Sequence, residues 1–115
     1  MPVKKAVGFF TGSGGNPRLN CGQAVAQTFK EKFSLSDDFI FALESSGNGR
    51  APGGVCGAIH AVQTILRQVD SDKADQAGKL FSEHAGSLLC SDIRRLRKVS
   101  CIGCVKKAAS LLHAV

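Results

Sequence analysis

The sequence predicts an all-α protein: a compact bundle of four main helices plus one or two short helices, with a Gly-rich loop at 44–54. Apolar residues recur at helical spacing through most of the 115 residues, and no stretch shows the pattern of a convincing strand. Seven Phe are present but no Trp or Tyr, so an aliphatic, Ala-rich core of closely packed helices is expected. Neither a repeat nor a linker divides the chain, which predicts a single cysteine-rich helical domain over 1–115.

Residues that cap helices mark the first two predicted helix starts. Either Asn16, which precedes a proline, or Asn20 caps the first main helix, and Asn20 with Gln23 resembles a capping box. The apolar face of this helix extends at i, i+4 spacing to Phe33. Ser36, followed by two aspartates, is expected to cap a short apolar helix that leads to the Gly-rich loop.

Three further segments have helical patterns after the Gly-rich loop. The clearest periodicity runs over 55–69, and an Asp-Ser-Asp sequence ends that helix and starts another, whose apolar stripe covers 74–88. A short segment follows over 89–96. Ser100 is expected to cap the last helix, which carries apolar residues over 101–112.

Charge and hydropathy restrict the function classes. The net charge of +6 permits anionic partners. The basic cluster at 94–98 has no interleaved aromatic residues and no DNA-reading motif, so we do not expect nucleic-acid binding. We expect these residues to form a solvated face whose positive charge favours the thiolate form of nearby cysteines. No apolar run approaches the roughly 20 residues that span a bilayer, so no membrane insertion is expected. The absence of a signal-peptide pattern predicts a cytoplasmic, reducing location.

Five cysteines in a reducing compartment favour metal binding or thiol chemistry over a static disulfide scaffold. Cys101 and Cys104 form a Cys-x-x-Cys pair at a predicted helix start, where free N–H groups and the helix dipole favour a thiolate. This spacing lets the two sulfurs meet each other or share one metal. Cys21 and Cys56 also lie at or near predicted helix starts, and Cys90 precedes a basic segment. The alternative for each is a small buried residue, because free Cys packs like a small hydrophobe.

At these cysteines the chain resembles the redox-active protein family named for a C_GCAxxG_C_C pattern. The matching parts are Asn20-Cys21-Gly22-Gln23-Ala24-Val25, Gly53-Gly54-Val55-Cys56-Gly57-Ala58, Cys90, and Cys104 with Val105. Residues 6–10 fit the short helix that opens the family. The chain departs from the pattern at Ala61, where the family has glycine, and Cys101 is an extra cysteine, so we take Cys104 as the family position. The resemblance implies a small helical redox protein and supplies no substrate.

Residues around Cys56 are expected to support its chemistry. They are Gly53, Gly54, Gly57, Ala58 and His60. The glycines leave little side chain near the sulfur and permit irregular backbone. His60 follows Cys56 by four residues, so on one helix face it would hold the thiolate as an ion pair or serve as a ligand. We favour the alternative, in which His60 is a polar residue on the solvent-facing side of the helix and has no role at Cys56.

Three functions remain open. In the preferred one, a thiol–disulfide oxidoreductase-like activity or electron transfer, Cys101 or Cys104 attacks and its partner resolves, while Cys21, Cys56 and Cys90 exchange with that pair. The electron partner is then a redox protein or a small thiol. In the second, an iron–sulfur cluster or zinc is held by Cys21, Cys56, Cys90 and Cys104. The third is a non-catalytic helical structural or interaction module with inert cysteines. The first is preferred because five cysteines at loose spacing do not specify a four-ligand site.

Overall fold

The computed structural model confirms the all-α fold class. It describes residues 2–12, 19–46 and 51–114. Their α-helices are α1 (Pro2–Thr11), α2 (Cys21–Thr28), α3 (Asp37–Ala42), α4 (Gly57–Arg67), α5 (Ser71–Ala85), α6 (Cys90–Leu96) and α7 (Cys101–His113). Two 3-10 helices, Leu43–Ser46 and Pro52–Gly54, occupy the described ends of the Gly-rich loop. Within these ranges there is no strand, and none of the helices combines the length and apolar character needed to cross a membrane.

Of the two residues predicted to cap the first main helix, Asn20 does so in the structure, and the predicted caps at Ser36 and Ser100 are confirmed. Asn20 Oδ1 accepts a hydrogen bond from the Gln23 backbone N–H at 2.8 Å, and Gln23 Oε1 accepts one from the Asn20 N–H at 3.3 Å, which completes a capping box. The hydroxyls of Ser36 and Ser100 each accept from the N–H three residues further on, at 3.0 Å. Asn16 lies outside the described residues.

The first main helix is shorter than its apolar pattern. α2 ends at Thr28, and residues 29–34 form turns in which Ser34 has a positive φ of 53°. Phe29 is buried and Phe33 is partly buried, with ring centroids 6.3 Å apart. The two aromatic side chains therefore stay on the core although the backbone between them has left the helix.

The core is centred on α4. This helix packs against α2, α5 and α7, and α1 packs against α2 and α7. The largest fully buried side chains are Phe81, Ile59, Ile65, Leu66, Leu112, Val25, Val62 and Val105. They are aliphatic except for one phenylalanine, as the composition predicts. The contacts of α4 with α2 and α7 also bring the starts of these three helices to one site.

Candidate functional site

All five cysteines line one cavity of about 710 Å³. Cys21, Cys90 and Cys101 are the first residues of α2, α6 and α7, and Cys56 immediately precedes α4. Cys104 lies one turn further along α7. The fold therefore gathers at one place the thiols that are dispersed in the sequence.

Backbone pairing fixes the position of Cys56. Its N–H donates to the carbonyl oxygen of Leu88 at 2.8 Å, and Val55 forms an antiparallel bridge with Leu89. Because Cys90 directly follows the paired segment, this short pairing brings the starts of α4 and α6 together. The same contact that holds Cys56 thus delivers Cys90 to the cavity.

Two glycines allow the chain to reach this pairing. Gly53 and Gly54 have positive φ values of 74° and 77°, a region that side-chain-bearing residues rarely adopt. A Cβ at either position would meet nothing within 4 Å, so the requirement is for backbone conformation and not for space. The glycine lead-in to Cys56 therefore shapes the turn before α4.

A backbone contact between α2 and α4 brings Cys21 to Cys56. A Cβ added at Gly22 would lie 2.9 Å from the carbonyl oxygen of Gly57 and 3.7 Å from the Cβ of Ala61. Gly22, Gly57 and Ala61 are all buried. Because each of the two glycines directly follows a cysteine, the close approach of the helices at the glycines also sets the approach of the two sulfurs.

The sulfur of Cys56 lies within hydrogen-bonding reach of two other thiols. Cys104 first, and then Cys21, lowers the pKa of Cys56 by donating to its sulfur, while burial acts in the opposite sense. The pKa values of Cys21 and Cys104 are correspondingly raised, in both cases chiefly by the hydrogen bond to Cys56 and then by burial. The cluster therefore loses its first proton from Cys56.

The start of α4 adds to this effect. The backbone N–H groups of Ala58 and Ile59 face the Cys56 sulfur and lower its pKa further, although neither has the geometry of a capping hydrogen bond. Amides at a helix start favour a negative charge. Cys56 is nevertheless only 6% exposed and Cys104 only 2% exposed, so the activated sulfur is reached through the cavity.

The other two cysteines lie nearer to solvent. Cys101 is exposed, which puts it at the rim of the cavity, and Cys90 is half-buried. Burial raises the pKa of Cys90, the Arg94 guanidinium lowers it, and the charges of Cys56 and Cys101 raise it again. Cys90 and Cys101 thus belong to the same electrostatic neighbourhood as the buried thiols.

His60 is not brought to the cavity. It is half-buried within α4 and is not one of the lining residues. Burial, followed by the charge of Arg67, lowers its pKa, so the imidazole is neutral at neutral pH. Cys56 precedes the helix with φ −57° and ψ 130°, and the i, i+4 relation that would join the two side chains holds only inside a helix.

The residues as arranged do not fit a metal centre. Among the described residues, which include every cysteine and histidine of the chain, no three Cys, His, Asp or Glu side chains converge as ligands of a metal ion. The set Cys21, Cys56, Cys90 and Cys104 lines the same cavity without forming such a group.

Two residues of the site were missed by sequence reasoning. Asn20 caps α2, but it also lines the cavity, and its Nδ2 donates to the carbonyl oxygens of Leu43 and Glu44 at 3.0 Å each. Gly22 was noted only for its match to the family pattern. The available signal was the repeated Cys-Gly pair, which marks two helix starts that can meet backbone to backbone.

Comparison with known proteins identifies the family. A family model described as "Putative redox-active protein (C_GCAxxG_C_C)" matches residues 19–115, a range that contains all five cysteines. No curated protein and no solved structure matches the chain. The departure at Ala61 is accommodated, because its methyl group faces Gly22, which has no side chain. The chain belongs to the C_GCAxxG_C_C family, whose description is the one quoted above.

Proposed function

We propose that the protein carries out thiol–disulfide exchange, with Cys56 as the attacking thiolate. The observation that carries this proposal is the position of Cys56, which precedes α4, lines a cavity together with Cys21 and Cys104, and has its pKa lowered chiefly by these two neighbouring thiols. A thiolate is the nucleophile in exchange, and a lowered pKa keeps it available at neutral pH. This differs from the sequence-based hypothesis, which gave the attack to Cys101 or Cys104.

The exchange takes place in two displacement steps. In the first, the Cys56 thiolate attacks one sulfur of a disulfide substrate, a mixed disulfide forms, and the other half of the substrate leaves as a thiolate. In the second, Cys104 attacks the Cys56 sulfur, which forms a Cys56–Cys104 disulfide and releases the remaining half. Two electrons have then moved from the two cysteines to the substrate, whose halves become thiols by taking the proton of Cys104 and one from solvent.

The first step itself activates the resolving thiol. The pKa of Cys104 is raised chiefly because Cys104 donates to the Cys56 thiolate. Once Cys56 is part of a mixed disulfide it carries no charge, so this effect is removed and Cys104 ionises more readily. Cys104 is preferred over Cys21 as the resolving thiol because it makes the larger contribution to the pKa of Cys56.

The test is a redox titration with location of the disulfide. The reduced protein is purified without oxygen, analysed for bound metals, and equilibrated in thiol–disulfide buffers that cover about −120 to −270 mV. Free thiols are then blocked with N-ethylmaleimide, counted by mass spectrometry, and located by peptide mapping. We expect a reversible loss of two thiols and a Cys56–Cys104 disulfide. Cys56→Ser should abolish this disulfide, and Cys90→Ser should retain it.

Other results would point elsewhere. Stoichiometric zinc or iron in the purified protein would favour the metal centre and refute plain dithiol chemistry. Five thiols that remain reduced throughout the titration would favour a structural module. A Cys21–Cys56 disulfide would leave Cys56 as the nucleophile and overturn the role given to Cys104.

A further inference from the structure

One wall of the cysteine cavity is cationic. Arg94, Arg97 and Lys98 line it, whereas none of the described lining residues is an aspartate or a glutamate. Arg97 and Lys98 are exposed residues in the connection between α6 and α7, and neither makes an ion pair with a described residue. The thiols of this cavity thus face an excess of positive charge.

The acidic residue of α6 does not cancel this charge. Asp92 accepts a hydrogen bond from the Ser87 hydroxyl at 3.1 Å and pairs with Arg95 at 3.2 Å. Neither Asp92 nor Arg95 lines the cavity. The carboxylate is therefore engaged by its own neighbours, and the cations at 97 and 98 remain available to a ligand.

Burial limits the size of the partner. Attack requires direct contact with the sulfur of Cys56, a residue that lines the cavity and is only 6% exposed. A disulfide held on the surface of a folded protein has little access to so buried a residue. The volume of about 710 Å³ falls within the range of about 300–1,000 Å³ that is usual for small-molecule sites. Apolar residues also line the cavity, among them Phe10 and Ile93, and they suit an organic ligand.

We infer that the disulfide exchanged at this site is a low-molecular-weight one that carries carboxylates, held by Arg97 and Lys98 while its sulfur meets Cys56. This inference rests on the proposed thiol–disulfide exchange and adds the class of substrate to it. The chemistry is that of the two displacement steps above: the small disulfide is reduced to two thiols, and Cys56 and Cys104 are oxidised to a disulfide. The cationic groups bind and orient the ligand and take no part in electron transfer.

The test compares three small disulfides of different charge. Reduced protein is mixed with anionic glutathione disulfide, neutral hydroxyethyl disulfide or cationic cystamine, and thiol loss is followed by acid quenching and mass spectrometry. We expect the ratio of the glutathione disulfide rate to the cystamine rate to exceed the ratio for a free cysteine peptide by at least about tenfold. Added salt should reduce this preference through screening.

A double variant locates the preference. Arg97→Gln with Lys98→Gln should lower the rate with glutathione disulfide by about tenfold and change the rate with the neutral disulfide less than about twofold. Lys73→Gln with Lys79→Gln removes the same charge from exposed positions on α5 that do not line this cavity, and it should leave the preference intact.

The possible outcomes separate the two proposals. If the neutral disulfide oxidises Cys56 but charge has no influence on the rate, the exchange proposal stands and the substrate class is refuted. Equal losses in the two double variants would also refute it, because net charge alone would then explain the preference. If no disulfide oxidises Cys56, the exchange proposal itself fails.

Discussion

Replacing Gly22 with alanine tests whether backbone contact between α2 and α4 organises the thiol cluster. The new Cβ would lie 2.9 Å from the carbonyl oxygen of Gly57, and this backbone atom cannot turn aside as a side chain can. The helices must separate by about half an ångström to restore ordinary contact at 3.4 Å. Overpacking of this kind costs about 1–3 kcal/mol. Alanine regains about 1 kcal/mol of helix propensity, so the net loss of unfolding free energy should reach up to about 2 kcal/mol.

The same separation should weaken the thiol cluster. Cys21 would move away from Cys56, its hydrogen bond to the thiolate would lengthen, and the pKa of Cys56 would rise. Urea denaturation measures the stability, and the pH dependence of Cys56 alkylation measures the pKa. Gly78→Ala in α5 is the matched control, because the nearest atom to its Cβ is Gln63 Nε2, the far end of a flexible side chain, and Gly78 does not line the cysteine cavity. If Gly22→Ala matches Gly78→Ala in stability and leaves the alkylation profile unchanged, the backbone contact does not control the thiols.

Three further predictions follow from the site. Cys104→Ala should move the alkylation profile of Cys56 upward by about one pH unit or more, because the larger of its two thiol donors is lost; an unchanged profile would contradict the hydrogen bond. The stability of the wild type relative to Cys56→Ala should increase with pH up to about 8.5, where thiols of the unfolded chain ionise, because the folded protein loses the Cys56 proton at lower pH. Above that pH the stability difference should fall, because Cys21 and Cys104 hold their protons more tightly in the folded protein than in the unfolded chain. Urea titrations across the pH range measure this difference, and a difference that does not change with pH would contradict the reasoning. Asn20→Ala should lower the unfolding free energy by about 1–2 kcal/mol through loss of the capping box, and a change below about 0.5 kcal/mol would argue against its anchoring role.

The sequence predicted helix starts better than helix ends. Asn20, Ser36 and Ser100 were identified because a capping side chain bonds to the backbone N–H three residues later, so the signal is local in the sequence. The end of α2 at Thr28 was missed because the apolar spacing continues through the following turns to Phe33. Burial of those aromatic side chains depends on tertiary packing, and a periodic pattern does not reveal whether the backbone between them is helical.

The sequence and the structure lead to different proposals for the roles of the cysteines. The Cys101–Cys104 pair was visible as a motif, so the attack was assigned to it. The environment of Cys56 depends on contacts with residues that are distant in the chain, namely the pairing with Leu88 and the thiols of Cys21 and Cys104. No local pattern encodes those contacts. His60 is near Cys56 in sequence but does not line the cavity, which agrees with the favoured interpretation of a polar histidine away from the thiols.

The arrangement of Cys56 also has a consequence for the direction of exchange. The neighbouring thiols of Cys104 and Cys21 and the amides at the start of α4 stabilise its thiolate, and the thiolate exists only in the reduced protein. Stabilising the reduced form makes the corresponding disulfide easier to reduce and therefore more oxidising. On the proposed mechanism, the oxidised protein would readily pass its disulfide to a dithiol partner. The stabilisation that activates Cys56 as a nucleophile thus makes its oxidation by a small disulfide less favourable and the later transfer of the disulfide to a dithiol more favourable.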